Sequence, residues 1–176
     1  MLFRSIGLGL LAAGFPLLFE ARWPVWLLAG SSIVALVAAR WVPAIRARLG
    51  RALHGVERTS LGEIHFPLAV AIVWSAWPGD WLRYTVPILI LAIADATAAL
   101  AGQRLGGRAY TTSEGTKTWW GSASFFASAF ALTAGMLWFH STRDATAIAA
   151  LAFLMGFTLM IVEAAAWKGL DNLFIP

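Results

Sequence analysis

The sequence contains no cysteine among its 176 residues, and only 12% of them are charged. The missing thiols exclude disulfide bonds, thiolate metal sites and cysteine nucleophiles. The three histidines are scattered without the spacing of metal ligands, so a zinc site is not expected. In contrast, 60% of the residues are hydrophobic and the mean hydropathy is +0.74. A soluble domain does not need this much apolar surface, so the composition predicts an integral membrane protein.

Several apolar stretches of near-spanning length follow one another along the chain. A membrane-spanning helix needs about 20 apolar residues, and these stretches predict an all-α, polytopic protein with about six transmembrane helices. The first resembles a signal peptide in outline, but it lacks a cleavage site of the A-x-A type and more spans follow, so we expect a retained helix. The third is the shortest and also fits a tilted or partly re-entrant segment. The stretches are Ser5–Phe19, Trp23–Val42, Ile64–Trp77, Tyr84–Ala101, Trp119–Phe139 and Ala145–Ala166.

The distribution of basic residues predicts the orientation in the membrane. With six crossings, ten of the thirteen Lys and Arg residues fall on one side, and the other side receives Arg22, Arg83 and Arg143. The positive-inside rule then places both termini and the two long loops in the cytoplasm, as expected of a protein of the cytoplasmic membrane. The net charge of +4 is explained by these loops, so no nucleic-acid partner is expected. The ten residues are Arg4, Arg40, Arg46, Arg48, Arg51, Arg58, Arg104, Arg108, Lys117 and Lys168.

Two carboxylates lie inside apolar stretches, Asp95 in the fourth and Glu163 late in the sixth. An acid at the centre of a membrane helix costs roughly 2.5–3.5 kcal/mol on insertion scales, so such residues mark candidate functional sites. By helical spacing Asp95, Ala99 and Gly102 share one face, which small residues open to another helix or a ligand. The alternatives are a hydrogen-bonded structural Asp95, and a Glu163 that is ion-paired with Lys117 or Lys168.

A glycine-rich, basic segment, Gly102 to Ser122, lies between the two acids. Glycines let backbone N–H groups turn toward an anion, and Arg and Lys neutralise phosphate oxygens. The Walker A spacing fails around Lys117, so the segment is not a P-loop. Thr118 or Ser122 is expected to cap the following helix, whose N-terminus would attract phosphate. The candidate nucleotide-binding residues here are Gly102, Arg104, Gly106, Arg108, Lys117, Gly121 and Ser122.

Further oxygen ligands occur near the predicted membrane edge. Asp171 and Asn172 follow the sixth stretch, and with Glu163 they offer the oxygen donors that Mg²⁺ prefers. Glu63 with Ser60 or Thr59 forms a capping-box pattern, which explains this acid as well as a catalytic role does. The serines and glycine at 121, 124 and 128 form a stripe that we assign to helix packing.

These residues resemble motifs of the CTP-dependent polyprenol kinases, the family of dolichol kinase, phytol and farnesol kinase, and CTP-dependent diacylglycerol kinase. The resemblance covers about residues 57–176, with three motifs in the family's order. They are Glu57-Arg58 with Gly62-Glu63-Ile64 and Phe66-Pro67-Leu68; Ala94-Asp95-Ala96 with Gly102, Arg104, Gly106 and Lys117 to Ser122; and Val162-Glu163-Ala164 with Asp171 to Pro176.

The apolar stretches and basic residues predict one membrane domain over residues 1–176, with two N-terminal helices and a basic cytoplasmic loop in residues 1–56, and the resemblance implies a kinase-like catalytic region in 57–176. It implies transfer of the γ-phosphate of CTP to a prenol, polyprenol or diacylglycerol, with Mg²⁺ on Asp95 and on Asp171 or Glu163. Lys117 and the arginines would hold the phosphates, and Glu163 or Glu63 would orient or deprotonate the alcohol. The alternatives are a cytidylyltransferase that forms a CDP-lipid, and a small transporter or non-catalytic subunit. Small-residue helix faces also leave a homodimer open.

Overall fold

The computed structural model describes residues 2–42, 61–112, 115–167 and 169–176, and it is predominantly helical. Four helical stretches among the described residues are long and apolar enough to cross a membrane: Trp23–Trp41, Trp81–Leu105, Trp119–His140 and Ala145–Ala165. The prediction of a helical membrane protein is therefore confirmed. The elements are α1 (Leu2–Ala13), α2 (Phe15–Leu18), α3 (Trp23–Trp41), α4 (Gly62–Ala76), α5 (Trp81–Leu89), a π segment (Ile90–Ala94), α6 (Asp95–Leu105), β1 (Ala109–Thr112), β2 (Gly115–Thr118), α7 (Trp119–His140), α8 (Ala145–Ala165) and α9 (Asp171–Phe174).

Two of the six predicted stretches do not form a single helix of spanning length. The first is divided into α1 and α2, because Gly14 separates them and Pro16 starts a new turn. The third is α4, whose 15 residues rise about 22 Å, less than the hydrocarbon thickness of about 30 Å. A count of six full spans, and the side on which the termini lie, remain predictions.

The break after α1 is closed by side chains from α5. Two carbonyls at the end of α1 lack their usual helical donors. Pro16 has no N–H that could donate to the Ala12 carbonyl, and the Leu17 N–H donates to the Gly14 carbonyl instead of the Ala13 carbonyl. The Tyr84 hydroxyl donates to the Ala12 carbonyl at 2.7 Å, and the Thr85 hydroxyl donates to the Ala13 carbonyl at 3.2 Å. Backbone groups in an apolar environment need such partners, so these two hydroxyls fix the end of α1 on α5.

The helices α6, α7 and α8 pack in antiparallel pairs through small residues. A Cβ on Gly121 would lie 3.1 Å from the Ala98 carbonyl oxygen and 3.8 Å from the Gly102 Cα, so the backbones of α6 and α7 nearly touch. Gly156 of α8 packs equally closely on α7, because a Cβ on it would lie 3.2 Å from the Phe130 backbone nitrogen. Of the 121–124–128 stripe, Gly121 and Ser128 pack on α6, Ser128 through a 2.8 Å hydrogen bond to Thr97, whereas Ser124 lines an open groove beside this contact.

A short antiparallel hairpin connects α6 to α7, where the sequence analysis expected only a glycine-rich segment. In this β1–β2 hairpin Ala109 pairs with Thr118 and Thr112 with Gly115. The chain enters it through Gly106 and Gly107, whose φ values of 60° and 88° favour glycine. Thr118, one of the two predicted caps, accepts a hydrogen bond from the Gly121 N–H at 3.1 Å.

The C-terminal segment folds back onto the bundle. Helix α9 packs against α4, and the His65 ring nitrogen Nδ1 is 2.9 Å from the Gly169 carbonyl oxygen. Ile175 is only 3% exposed and joins a buried cluster that contains Ala94 and Ala98. This anchoring brings Asp171, at the start of α9, toward the beginning of α6.

Candidate functional site

Asp95 occupies the first turn of α6, directly after the π segment. Pro87 removes one backbone donor from the preceding helix, and the wider π turn rotates the residues that follow it. Single π turns in helices are frequent at functional sites. The Asp95 side chain is partly buried and makes no hydrogen bond or ion pair with any described residue. A carboxylate without a partner in a membrane-spanning stretch favours a ligand over a purely structural role.

Lys117 and Glu163 form an ion pair at the same end of the bundle. The Lys117 amine Nζ lies 2.5 Å from the Glu163 carboxylate oxygen Oε1, and it also donates to the backbone carbonyl of Glu163. Glu163 is 7% exposed, so the amine neutralises an otherwise buried charge. The ion pair with Lys117 was one of the two that the sequence allowed for Glu163; the other partner, Lys168, lies outside the described residues.

These groups, together with Asp171, form what we call the acid–lysine cluster: Asp95, Lys117, Glu163 and Asp171. The charges of Asp171, Glu163 and Lys117 all act on the Asp95 carboxylate. Three carboxylates and one amine leave an excess of negative charge when all four are ionised, and this favours a cation. Within the described ranges, however, no three His, Asp or Glu side chains converge to hold a metal ion. Asp171 accepts a 3.3 Å hydrogen bond from the Asn172 side chain.

The two arginines predicted to bind phosphate lie outside this cluster. Arg104 and Arg108 are exposed and, among the residues that the structure describes, have no ion-pair partner. At 100° per residue, Arg104 lies on the opposite face of α6 from Asp95. It lines a separate groove between α6 and α7. The structure therefore does not bring Arg104 together with the acids.

The small residues predicted for nucleotide binding have packing partners. Gly102 and Gly121 face each other across the α6–α7 contact. Ser122 is 7% exposed, and its hydroxyl lies 2.6 Å from the Tyr110 hydroxyl of the β1–β2 hairpin. Gly106 has open space around it, so it is the predicted glycine that leaves its backbone free for a ligand.

Glu63 lies in the first turn of α4 and is exposed, without a hydrogen bond or ion pair to any described residue. The capping box that would explain it involves Thr59 and Ser60, which lie outside the described residues, as does the Glu57-Arg58 motif. The N-cap position itself is Leu61, which makes no side-chain cap. Glu63 is therefore left available for a ligand.

Sequence reasoning missed Tyr110 and His65, both of which hold the site in place. Tyr110 ties the hairpin to α7, and His65 ties α4 to the segment that carries Asp171. One signal was available: the chain has only two tyrosines, and both make hydroxyl hydrogen bonds to other elements. Buried tyrosine hydroxyls normally need a partner, so each tyrosine indicated a long-range contact.

The chain matches no protein-family model, no curated protein and no solved structure. An amine paired with one carboxylate, with two further acids at the same end of the helices, has the components needed to bind a polyanion together with a divalent cation. Its amine can neutralise phosphate oxygens, and its carboxylates can hold a metal ion or accept a proton.

Proposed function

We propose that the chain is a membrane-embedded kinase that transfers the γ-phosphate of CTP to the hydroxyl of a lipid alcohol. The observation that carries this proposal is the acid–lysine cluster, in which four elements (α6, β2, α8 and α9) contribute one charged residue each at one end of the bundle. Phosphoryl transfer depends mainly on positioning and charge neutralisation, which such a cluster can provide. The choice of CTP and of a lipid alcohol comes from the motif resemblance around Asp95, Lys117 and Glu163.

In the proposed reaction, the acceptor hydroxyl oxygen bonds to the γ-phosphorus of CTP, and the bond from that phosphorus to the β–γ bridging oxygen breaks. The products are a lipid phosphate, CDP and one proton. In this proposal Lys117, which is paired with Glu163, moves to the nucleotide phosphates, because both are anionic partners for its amine. This movement would leave the Glu163 carboxylate free to accept the hydroxyl proton. Glu63 is the second candidate for that role.

Mg²⁺ fits this site only together with the nucleotide. Asp95 and Asp171 supply two carboxylates, and Mg²⁺ in nucleotide sites is commonly held by one or two carboxylates plus phosphate oxygens and water. When bound, the metal neutralises charge on the phosphates.

The position of the cluster suits a lipid acceptor. Asp95 lies within the Trp81–Leu105 stretch, about 10 Å of helix rise from Gly102, and Lys117 lies just before α7 begins. A lipid alcohol has its hydroxyl at the headgroup level and its tail in the hydrocarbon. The nucleotide, in contrast, reaches the protein from water, so both substrates meet only near the end of the spanning helices.

The test is an assay with radiolabelled CTP and Mg²⁺ on protein purified in detergent, with farnesol, phytol, a longer polyprenol and diacylglycerol as acceptors. We expect a labelled lipid phosphate when the γ-phosphate carries the label, and CDP as the second product. Asp95→Asn should lower the rate about 100-fold or more, as expected when a transition-state charge partner is lost. Asp144→Asn is the matched control: Asp144 caps α8 at the other end of the bundle through a 2.7 Å hydrogen bond that Asn can replace.

A charge swap separates function from stability. Lys117→Glu combined with Glu163→Lys keeps an ion pair but loses the hydrogen bond to the backbone carbonyl of residue 163, so the free energy of unfolding should fall by only about 1–3 kcal/mol, whereas the exchange of amine and carboxylate should abolish transfer. Transfer at the wild-type rate in the folded swap variant or in Asp95→Asn would contradict the assignment. Release of pyrophosphate with formation of a CDP-lipid would identify a cytidylyltransferase instead.

A further inference from the structure

A second feature of the bundle is an open groove between α6 and α7, with a volume of about 460 Å³. Its lining includes the bulky Leu100 and Leu105 and the small Ala101 and Ala127. Three hydroxyls also line it: those of Thr97 and Ser128 hydrogen-bond each other at 2.8 Å and so present little unsatisfied polarity, and that of Ser124 is the third. The groove is therefore chemically apolar along most of its length.

The groove lies at the depth of the membrane. Its α6 wall belongs to the spanning stretch Trp81–Leu105, and Leu100, Leu105 and Ala127 are exposed at its sides. From Thr97 to Arg104 it extends about 10 Å along the helix. Since an exposed apolar surface at this depth contacts hydrocarbon, the natural occupant is a lipid chain rather than water.

One end of the groove carries a cation. Arg104 is the charged residue among the lining residues, it is exposed, and it makes no ion pair with any described residue. It lies in the last turn of α6, where the spanning stretch ends and lipid headgroups begin. A guanidinium at that level binds phosphate oxygens in paired hydrogen bonds, and basic pockets between membrane helices bind anionic headgroups.

We infer that this groove binds one phospholipid with an anionic headgroup, with an acyl chain along Ala101 and Ala127 and the headgroup phosphate on Arg104. The site is separate from the acid–lysine cluster, because Arg104 and Asp95 lie on opposite faces of α6. It does not depend on the proposed kinase activity. A lipid bound in this groove would contact both α6 and α7 and so hold the two helices together on the side that faces the membrane.

Native mass spectrometry of the purified protein tests this inference. The protein is released from micelles that contain phosphatidylglycerol or phosphatidylcholine with identical acyl chains, and the retained lipids are counted. We expect one retained phosphatidylglycerol, bound several-fold more tightly than phosphatidylcholine. Arg104→Gln should reduce this preference roughly fivefold, the effect of about one basic residue at a membrane surface. Arg104→Lys should restore most of it.

Two matched controls separate the groove from other surfaces. Arg143→Gln removes an exposed arginine at the other end of α7 and should leave the preference unchanged. Ala127→Leu should fill the groove and lower retention of both lipids, whereas Ala150→Leu, the same change at an exposed position of α8, should not. The inference would be overturned if the wild type retained the two lipids equally or if the two arginine changes had equal effects. It would also be overturned if the wild type were a dimer and Ala127→Leu made it monomeric. The last result would identify a second copy of the chain as the occupant.

Discussion

Two threonines are equally buried but differ in their hydrogen bonds. Thr85 and Thr133 are each 4% exposed, and the Thr85 hydroxyl donates to the Ala13 carbonyl at 3.2 Å. The Thr133 hydroxyl has no partner among the residues that the structure describes. A buried hydroxyl without a partner costs stability, whereas removing a bonded one leaves its acceptor unsatisfied.

Replacement of each threonine by valine should therefore have opposite results. Thr85→Val should lower the free energy of unfolding by about 1–2 kcal/mol, because the Ala13 carbonyl loses its donor. Thr133→Val should be neutral or stabilising by up to about 1 kcal/mol, since the shape is kept and no bond is lost. Thermal unfolding in one detergent measures both. A destabilisation by Thr133→Val as large as that by Thr85→Val would show that Thr133 has a partner.

At the same scale, the acids of the site were easier to predict than their partners. Asp95 and Glu163 were recognisable because charge is rare in apolar stretches. The partner of Glu163 was left open between Lys117 and Lys168, since that choice depends on how α7 and α8 are aligned. The alignment comes from Gly156 against the backbone of Phe130, a contact between helices that no local pattern encodes. The position of Arg104 away from Asp95, in contrast, follows from helical spacing alone.

Among the elements, α1 depends on one glycine. A Cβ at Gly9 would lie 2.2 Å from the Ala92 Cβ of the π segment, closer than any real contact. Gly7, in the same helix, has nothing within 4 Å. The two positions therefore have the same helix propensity but very different surroundings.

Alanine at these two positions should separate packing from propensity. Gly9→Ala should destabilise the protein by about 1–3 kcal/mol, because α1 and the π segment must move apart. Gly7→Ala should stabilise it by up to about 1 kcal/mol through helix propensity. The unfolding temperature of each purified variant gives the comparison. Equal shifts for the two variants would mean that α1 does not pack on the π segment.

Helices and their approximate positions could be predicted because apolar stretches of near-spanning length are a strong signal. The β1–β2 hairpin could not be predicted, since polar and apolar residues alternate only weakly in its four-residue strands and its glycines resemble those of any loop. The π segment was equally hidden: Pro87 indicated a local disturbance, but proline does not specify where the extra residue is accommodated. The π segment ends directly before Asp95 and therefore determines the direction in which this residue points.

On the scale of the whole molecule, the three long C-terminal helices define two ends of the bundle. At one end Lys117 meets Glu163, and at the other the Trp81 ring lies 4.8 Å from the His140 ring. Arg108 belongs to the first end, with the acid–lysine cluster, and Arg143 to the second. The positive-inside rule predicts that the first end faces the cytoplasm.

Single cysteines can test this orientation directly, because the natural chain has no cysteine that would need to be removed. We expect Arg143→Cys to react with a membrane-impermeant maleimide in intact cells, and Arg108→Cys to react only after permeabilisation. Arg22→Cys tests α3 and α4: the prediction of six spans places four crossings between residues 22 and 143, which puts both residues on the same side. Each change removes one arginine of thirteen Lys and Arg residues, so the charge asymmetry that sets the orientation is largely kept.

The pattern of labelling separates the possible topologies. If Arg108→Cys but not Arg143→Cys reacts in intact cells, the orientation of the molecule is the opposite of the predicted one. The acid–lysine cluster would then lie on the outer side of the membrane, where there is no nucleotide. Protection of Arg22→Cys beside a reactive Arg143→Cys would mean that an odd number of helices cross between residues 22 and 143, and α4 would be the one that does not cross. That outcome has a physical basis, because the 15 residues of α4 rise about 22 Å, less than the hydrocarbon thickness of about 30 Å. A helix of this length, packed against α3 and α9, can lie within the bundle without reaching the other side.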